Sequence, residues 1–349
     1  MVETESAPKP TPTPRSWREG VPGPFLAALA LAGGFTVFVA WDQSHWWRVK
    51  EDYSFGWLVP VFTVYAVSDR WERLRGRLRA AAEAPPAARR VRWTLNIAAG
   101  LGLVFGALFF LLGAFYRAGA GTSQPGTLAL TLGMVAIVLP LLFFNVPLAA
   151  ETGQPRDGSA EAVGWLAGFK EPRFAVAALF IFPVCVWLIS APLVSAVESQ
   201  ISLFLLRKVV TVVAFVFDLA GCPIEQQGNV LLLPRGPVGV ADACSGIRSL
   251  TACLFAGSFL GAMFLDRFWK KAVLVCAAMA FAFLMNLARS LFLTAWAYNR
   301  GPDAITGFVH DAAGYAVLGL TCLGLLVLVP LLNLKVERAA PPGAGGGAG

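Results

Sequence analysis

The sequence contains several apolar blocks of about 20 residues without a charged side chain, and this feature restricts its fold more than any other. Hydrocarbon offers no hydrogen bonds to an exposed backbone, so a block of that length crosses a bilayer as a helix. The blocks lack the alternating pattern of transmembrane β-barrel strands. Hydrophobic residues make up 57% of the chain and charged residues 14%, which excludes a disordered chain and an ordinary soluble enzyme. We therefore predict an all-α, polytopic transmembrane helix bundle.

The apolar blocks predict about eight membrane spans. They lie near residues 22–41, 54–69, 93–116, 127–149, 174–196, 244–265, 272–297 and 310–332. Segment 69–92 carries eight arginines, and this density places it on the cytoplasmic side of an inner (cytoplasmic) membrane. Both chain ends are then cytoplasmic. A patch that binds nucleic acid or anionic lipid is the alternative interpretation of these arginines. We expect the lipid bilayer, and no nucleic acid, as a partner.

One region, residues 197–243, interrupts this pattern. Its segment 201–221 is apolar enough to form a helix, but a full crossing would reverse the side of every later loop. We therefore predict an interfacial or re-entrant helix there, on the extracytoplasmic side. Segment 228–236 predicts a short extended stretch and a turn after it.

The boundaries of the transmembrane domain and of the two terminal segments follow from composition. Residues 1–20 are rich in Pro, Ser and Thr and predict a disordered cytoplasmic N-terminus. Residues 21–338 form the transmembrane domain, and residues 339–349 predict a flexible Gly-rich tail.

Polar groups inside membrane spans are costly, so those that remain indicate a functional site. Cys244 opens the sixth span, Arg289 lies in the seventh near its outer end, and His310 opens the eighth. The loop charges alone place all three near the extracytoplasmic face. Together they supply a nucleophilic thiol, a fixed cation and a proton carrier, which are the groups that acyl transfer requires.

Each of the three groups has a definite role in that chemistry. A thiolate of Cys244, stabilised by a helix N-terminus, would attack a peptide carbonyl and form a thioester. His310 would take the thiol proton and later protonate the leaving amine. Arg289 presents several donors in a fixed fork, which suits the oxyanion of the tetrahedral intermediate.

Four neighbouring polar residues are candidates for supporting or substrate-positioning roles: Arg248, Asn286, Ser245 and Asp311. Arg248 lies one helical turn after Cys244, and Asn286 lies one turn before Arg289. Each candidate also has a structural interpretation, since cysteines pack in apolar helices and arginines extend to the interface or form ion pairs. We expect no metal or other cofactor, because the chain has only two histidines and no cysteine spacing typical of zinc sites.

At these residues the sequence resembles the exosortase/archaeosortase family, membrane cysteine transpeptidases that process proteins with PEP-CTERM-type sorting tails. The resemblance covers about residues 40–335. It is carried by Gly228 through Ser249, by Asn286-x-x-Arg289, by the Gly301-Pro302 turn, by His310-Asp311, and by Tyr53 through Pro60. Two positions depart from the family pattern: Phe55 stands where His is frequent, and Asp242 where Glu is common.

The resemblance implies a catalytic triad of Cys244, Arg289 and His310. It also implies the partners: membrane-anchored precursor proteins whose C-terminal sorting tail combines a short motif, a transmembrane helix and a basic cluster. The acyl group would pass to an acceptor amine or to water, and the sequence does not identify the acceptor nucleophile.

Other functions are compatible with parts of the sequence. A transporter or permease could bind an anionic solute through Arg248 and Arg289, although such sites usually lie near the midplane. An intramembrane serine protease would use Ser258 with His310, and a membrane scaffold would use neither. A disulfide between Cys222 and Cys244 would silence the nucleophile.

Overall fold

A computed structural model describes residues 20–84, 88–148, 171–239, 247–265 and 267–333. Within these ranges the chain is mainly helical. The α-helices are α1 (Gly23–Val49), α2 (Leu58–Asp69), α3 (Trp71–Glu83), α4 (Arg89–Ala120), α5 (Gln124–Phe144), α6 (Pro172–Ser190), α7 (Ser195–Leu219), α8 (Ile247–Phe264), α9 (Phe268–Arg300) and α10 (Phe308–Asn333). The predicted all-α, polytopic fold is confirmed. The terminal segments predicted to be disordered or flexible, residues 1–20 and 339–349, lie outside the described ranges apart from residue 20.

Contacts between helix termini define two ends of the bundle, which we call the upper end and the lower end. At the upper end α8 begins where α1 has finished, because Thr251 donates from Oγ1 to the carbonyl of Asp52 at 3.1 Å. At the lower end α8 and α10 finish together, because Asn333 donates from Nδ2 to the carbonyl of Phe264 at 2.9 Å. Arg70, which follows α2, donates to the carbonyl of Ala262 at 3.3 Å and so also lies at the lower end.

Eight helices run alternately between these two ends. They are α1, α2, α4, α5, α6, α8, α9 and α10. Two of them are short: α2 has only 12 residues, about 18 Å of helix, and α8 has 18. A 3₁₀ helix, Glu51–Trp57, precedes α2 and takes up the first part of the predicted span 54–69. The rings of Phe62 and Phe259, 4.9 Å apart, fix α2 beside α8.

Seven described helices are long and apolar enough to cross a membrane, and α7 is one of them. Nevertheless both ends of α7 lie at the upper end of the bundle. Its first turn is held there through Glu198, which accepts from Lys50 at 2.6 Å and from Gln124 at 3.0 Å. Its last turn packs against the end of α9, where the rings of Phe217 and Tyr298 are 6.0 Å apart. The structure therefore agrees with the predicted interfacial helix, which is unbroken over 25 residues.

A small antiparallel sheet covers the same end of the molecule. Its strands are β1 (Glu225–Gln227), β2 (Val230–Leu233) and β3 (Gly236–Gly239), in the order β1-β2-β3. The predicted extended segment is thus the middle of a three-stranded sheet. Leu231 and Val238 share an apolar core with Val210 of α7 and Ala297 of α9. This core holds α7, the sheet and the end of α9 together as one layer.

Close packing of α4 against α5 depends on glycines. A Cβ atom on Gly133 would lie 2.5 Å from the backbone nitrogen of Phe110, and one on Gly106 would lie 2.9 Å from the backbone of Ala136. Contacts of that kind involve backbone, which cannot move aside. Small residues allow helix backbones to approach closely where lipid supplies no hydrophobic driving force between helices.

We expect Gly133→Leu to destabilise the bundle strongly, because a side chain there would drive α4 and α5 apart. Overpacking of a tight interior costs about 1–3 kcal/mol, and occasionally more. Gly34→Leu is the matched control, since Gly34 is exposed on α1 and a Cβ there would contact nothing within 4 Å. Thermal stability in detergent, followed by size-exclusion chromatography after heating, measures both variants. Equal stability of the two would contradict this account of the α4–α5 contact.

Candidate functional site

Arg289 and His310 meet at the upper end of the bundle. The Nη2 atom of Arg289 lies 2.8 Å from Nε2 of His310 and 3.5 Å from the carbonyl oxygen of the same residue. The two residues come from different helices, α9 and α10, that run in opposite directions. The structure therefore brings together two of the three residues on which the predicted acyl-transfer site depends.

The connection between α9 and α10 explains why they meet. Gly301 ends α9 with a φ of +96°, a conformation that glycine adopts without strain. A short 3₁₀ helix, Pro302–Ile305, follows, and α10 begins at Phe308, so His310 lies in its first turn. One turn further on, a Cβ on Gly314 would lie 3.5 Å from Nη2 of Arg289. A larger residue there would crowd the guanidinium.

The contact also determines which nitrogen of His310 accepts. A guanidinium only donates hydrogen bonds, so Nε2 of His310 must be the acceptor. In a neutral ring the proton is then on Nδ1. The Nε atom of Arg289 is buried and has no hydrogen-bond partner within the described residues. Arg289 thus keeps one donor unused while it occupies the lone pair of His310.

Arg248, in the first turn of α8, interacts with two carboxylates that sequence analysis missed. Its guanidinium forms an ion pair with Glu51 and lies 3.4 Å from Oδ1 of Asp52. Its side chain is 60% exposed. Glu51 and Asp52 are adjacent and lie between the first two predicted spans, and a pair of acidic residues at that position was the signal that the sequence offered. The positive charge of Arg248 is therefore shared with two acidic groups.

The 3₁₀ helix that carries these carboxylates is anchored by Tyr53. The ring is buried, and its hydroxyl accepts a hydrogen bond from the backbone N–H of Leu193 at 3.0 Å. Burial raises the pKa of Tyr53 to about 12, so the hydroxyl stays neutral at any physiological pH. Glu51 and Asp52 are thereby held at a fixed position next to α8.

The other predicted site residues are distributed as follows. Asn286 is buried one turn below Arg289, and its carbonyl accepts a hydrogen bond from Ser290 at 3.0 Å. Asp311 is exposed beside His310, and among the described residues no ion pair joins it to Arg289. Cys244 and Ser245 lie outside the described residues.

Two alternatives proposed from the sequence, the serine protease and the disulfide of Cys222, agree less well with the structure. Ser258 is buried ten residues, or about 15 Å of helix, below Arg248, whereas His310 stays with Arg289 at the upper end. The structure therefore does not bring the serine and the histidine of the serine-protease hypothesis together. Cys222 is a free, half-buried thiol.

A cavity of about 1130 Å³ extends from this site along the bundle. Glu51, Asp52, Arg248, Arg289, His310 and Asp311 all contribute to its lining. Further down, its walls are apolar and come from α2, α8 and α10, with Phe255, Phe259, Leu318 and Leu325 among them. From His310 to Leu326 the lining follows about 24 Å of α10. The cavity thus joins a charged upper end to an apolar interior that runs deep into the bundle.

Comparison with known proteins identifies one family. The family model for transmembrane exosortases matches residues 46–327, a range that includes Glu51, Arg248, Arg289 and His310. No curated protein and no solved structure matches the chain. The match covers well over half of the sequence, including every residue that lines the cavity. This chain therefore belongs to the transmembrane exosortase family.

Proposed function

We propose that this protein is a membrane-embedded cysteine peptidase and transpeptidase that removes a C-terminal sorting signal from secreted proteins. The observation that carries the proposal is the 2.8 Å contact between Arg289 and His310 at the charged end of an apolar cavity. A proton carrier and a fixed cation in contact, at such a position, suit acyl transfer to or from a peptide whose adjoining segment is apolar.

The proposed nucleophile is Cys244. It lies four residues before Arg248, and four residues of chain span at most about 14 Å. Arg248, Arg289 and His310 line one cavity, and this reach is compatible with a thiol at that cavity. The two ends of the segment that carries Cys244, at Gly239 and Ile247, both belong to the upper end of the molecule.

The contacts of the resting site suggest how substrate would start the reaction. Nε2 of His310 accepts from Arg289 and is not available to a thiol. A substrate carbonyl oxygen offers the guanidinium a second acceptor, and when Arg289 donates to that oxygen the lone pair of Nε2 is released. His310 then takes the proton of Cys244, and the sulfur attacks the carbonyl carbon.

The later steps return each group to its starting state. As the sulfur–carbon bond forms, the carbonyl oxygen becomes an oxyanion that Arg289 stabilises. The intermediate collapses when the carbon–nitrogen bond breaks and His310 gives its proton to the leaving amine. A thioester on Cys244 remains. An acceptor amine or water then attacks the thioester carbon while His310 takes its proton. The carbon–sulfur bond breaks, and His310 returns that proton to the sulfur, which restores the thiol.

The cavity suits a substrate with an apolar helix next to the cleavage point. Exposed apolar side chains of α2 and α10, such as Val61 and Leu326, line the cavity and offer a surface at bilayer depth. The helix of a sorting tail would lie against this surface and present its upper end to Arg289. The arginines around α3 mark the lower end as cytoplasmic, so the reaction would take place on the extracytoplasmic side of the inner membrane.

Trapping of the thioester tests this proposal. Membranes that contain the protein are incubated with a tail-bearing peptide, quenched in acid and analysed by mass spectrometry. We expect an acyl adduct on Cys244 that hydroxylamine removes, and we expect a membrane-impermeant maleimide added from the extracytoplasmic side to prevent it. Cys222→Ala, the control, should retain the adduct.

An adduct on another cysteine, or cleavage of the peptide without any thioester, would overturn the proposed mechanism. Solute uptake by proteoliposomes that survives Cys244→Ala would instead favour the transporter. Transport requires no covalent intermediate, so the two functions give opposite results in these assays.

A further inference from the structure

The outer edge of β3 pairs with no strand among the described residues. The sheet order is β1-β2-β3, so β3 has β2 on one side only, and no described strand pairs with its other side. Pro237 and Gly239 on this strand are exposed, whereas the side chain of Val238 between them is buried in the core of the layer. The edge therefore lies at the surface, while the buried side chain of Val238 anchors the strand in the apolar core.

The register shows which backbone groups point outward. Two-residue turns, Gly228-Asn229 and Pro234-Arg235, close the two hairpins. The residues that flank such a turn form a hydrogen-bonded pair, and these pairs alternate along an antiparallel ladder. Leu233 and Gly236 are therefore hydrogen-bonded, and so are Leu231 and Val238, the pair two positions along.

The backbone groups of Pro237 and Gly239 consequently point away from β2. The first hairpin leads to the same orientation of Gly239. Val230 flanks the turn of that hairpin, so its backbone groups bond to β1 and not to Gly239 of β3. The position of Pro237 is consistent, since proline lacks an N–H and is tolerated in a strand only where that group would point outward. The free edge thus offers the carbonyl of Pro237 and both the N–H and the carbonyl of Gly239.

This edge is continuous with the proposed site. Gly239 is five residues before Cys244, so β3 leads directly into the segment that carries the nucleophile. At its other end a Cβ on Gly236 would lie 3.1 Å from Cγ of Pro302, in the connection that leads to His310. One strand is thereby linked to both the thiol-bearing segment and the helix of the proton carrier.

From this arrangement we infer that the edge of β3 binds the recognition motif of the substrate as an added strand. The inference rests on the proposed function. The occupant is the extended segment on the N-terminal side of the scissile bond. The substrate helix in the cavity lies on the C-terminal side of that bond, so the chain before the bond has left the membrane at this level. Strand addition supplies affinity through backbone hydrogen bonds at every second residue of the peptide.

Gly239→Pro tests the inference, because it removes the outward N–H and leaves the ladder to β2 intact. We expect KM for a precursor peptide that the wild-type protein cleaves to rise about 3- to 10-fold, the effect of one lost hydrogen bond, with kcat changed less than twofold. Gly239→Ala keeps the outward N–H, so its KM should lie well below that of Gly239→Pro, since a Cβ there would contact nothing within 4 Å.

A second measurement uses the wild-type protein with peptides in which single amide bonds are replaced by esters. Esters at alternate positions of the motif should raise KM, and those at the positions between should not, because an added strand bonds through every second residue. Equal KM for Gly239→Pro and Gly239→Ala, together with no alternation in the ester series, would overturn the inference. Wild-type cleavage through a Cys244 thioester would then still stand, whereas absence of any thioester would contradict the proposed function itself.

Discussion

Replacement of Cys244 by alanine is expected to abolish conversion of a tail-bearing precursor while the protein still inserts and folds. The thiol supplies the atom that becomes covalently attached to the substrate in the proposed reaction. Removal of a catalytic nucleophile reduces kcat by about 10⁴-fold or more in enzymes of comparable design. The time course of precursor conversion in membranes, followed by gel mobility, measures the effect.

Cys322→Ala is the matched control for this experiment. Cys322 also lines the cavity, but it lies on α10 three turns below His310. We expect conversion in that variant to stay within about twofold of wild type, because surface packing changes of one small side chain are usually minor. Near-normal conversion by Cys244→Ala would show that the thiol is not the nucleophile, and loss of conversion in both variants would indicate a packing effect.

Arg289→Lys is expected to lower kcat about a hundredfold or more, although it preserves the charge. The guanidinium contacts His310 through Nη2 and has a buried donor at Nε with no partner among the described residues. An ammonium group concentrates its donors at one point and lacks the planar fork, so it cannot leave the imidazole and hold the oxyanion in the geometry that the guanidinium provides. Single-turnover acylation of Cys244, measured by mass spectrometry, isolates the step at which the oxyanion forms.

Arg300→Lys serves as the control on the same helix. Arg300 lies at the end of α9, 5.4 Å from the ring centroid of Trp296, and does not line the cavity. We expect that variant to acylate at the wild-type rate. If Arg289→Lys also acylated within threefold of wild type, Arg289 would be a counter-charge and the guanidinium geometry would have no catalytic role.

The meeting of Arg289 with His310 was predictable because topology alone implies it. The loop charges set the direction of each span, and two adjacent antiparallel spans return the chain to one end of the bundle. Residues near the end of α9 and the start of α10 therefore had to lie at one depth. The ion pair of Arg248 with Glu51 was not predictable in this way, because almost 200 residues separate the partners and only the packing of α8 beside the 3₁₀ helix brings them together.

Helix α7 shows where hydropathy is insufficient. Its length and composition are those of a membrane span, yet both of its ends lie at the upper end of the bundle. Composition records how much apolar surface a helix must bury, and it does not say whether lipid or protein covers that surface. Here Glu198 at one end and Phe217 at the other decide the placement through contacts with α1, α5 and α9.

The amino-acid sequence by itself determined that the chain is a helical membrane protein, which end of it bears the arginines, and that Arg289 and His310 share a depth. Those properties follow from local composition and from the order of the spans. Only the tertiary structure decided the cavity, the carboxylates beside Arg248 and the outward edge of β3, because each is formed by surfaces from segments far apart in the chain. Packing between distant segments depends on the whole set of side-chain shapes, which no local pattern contains.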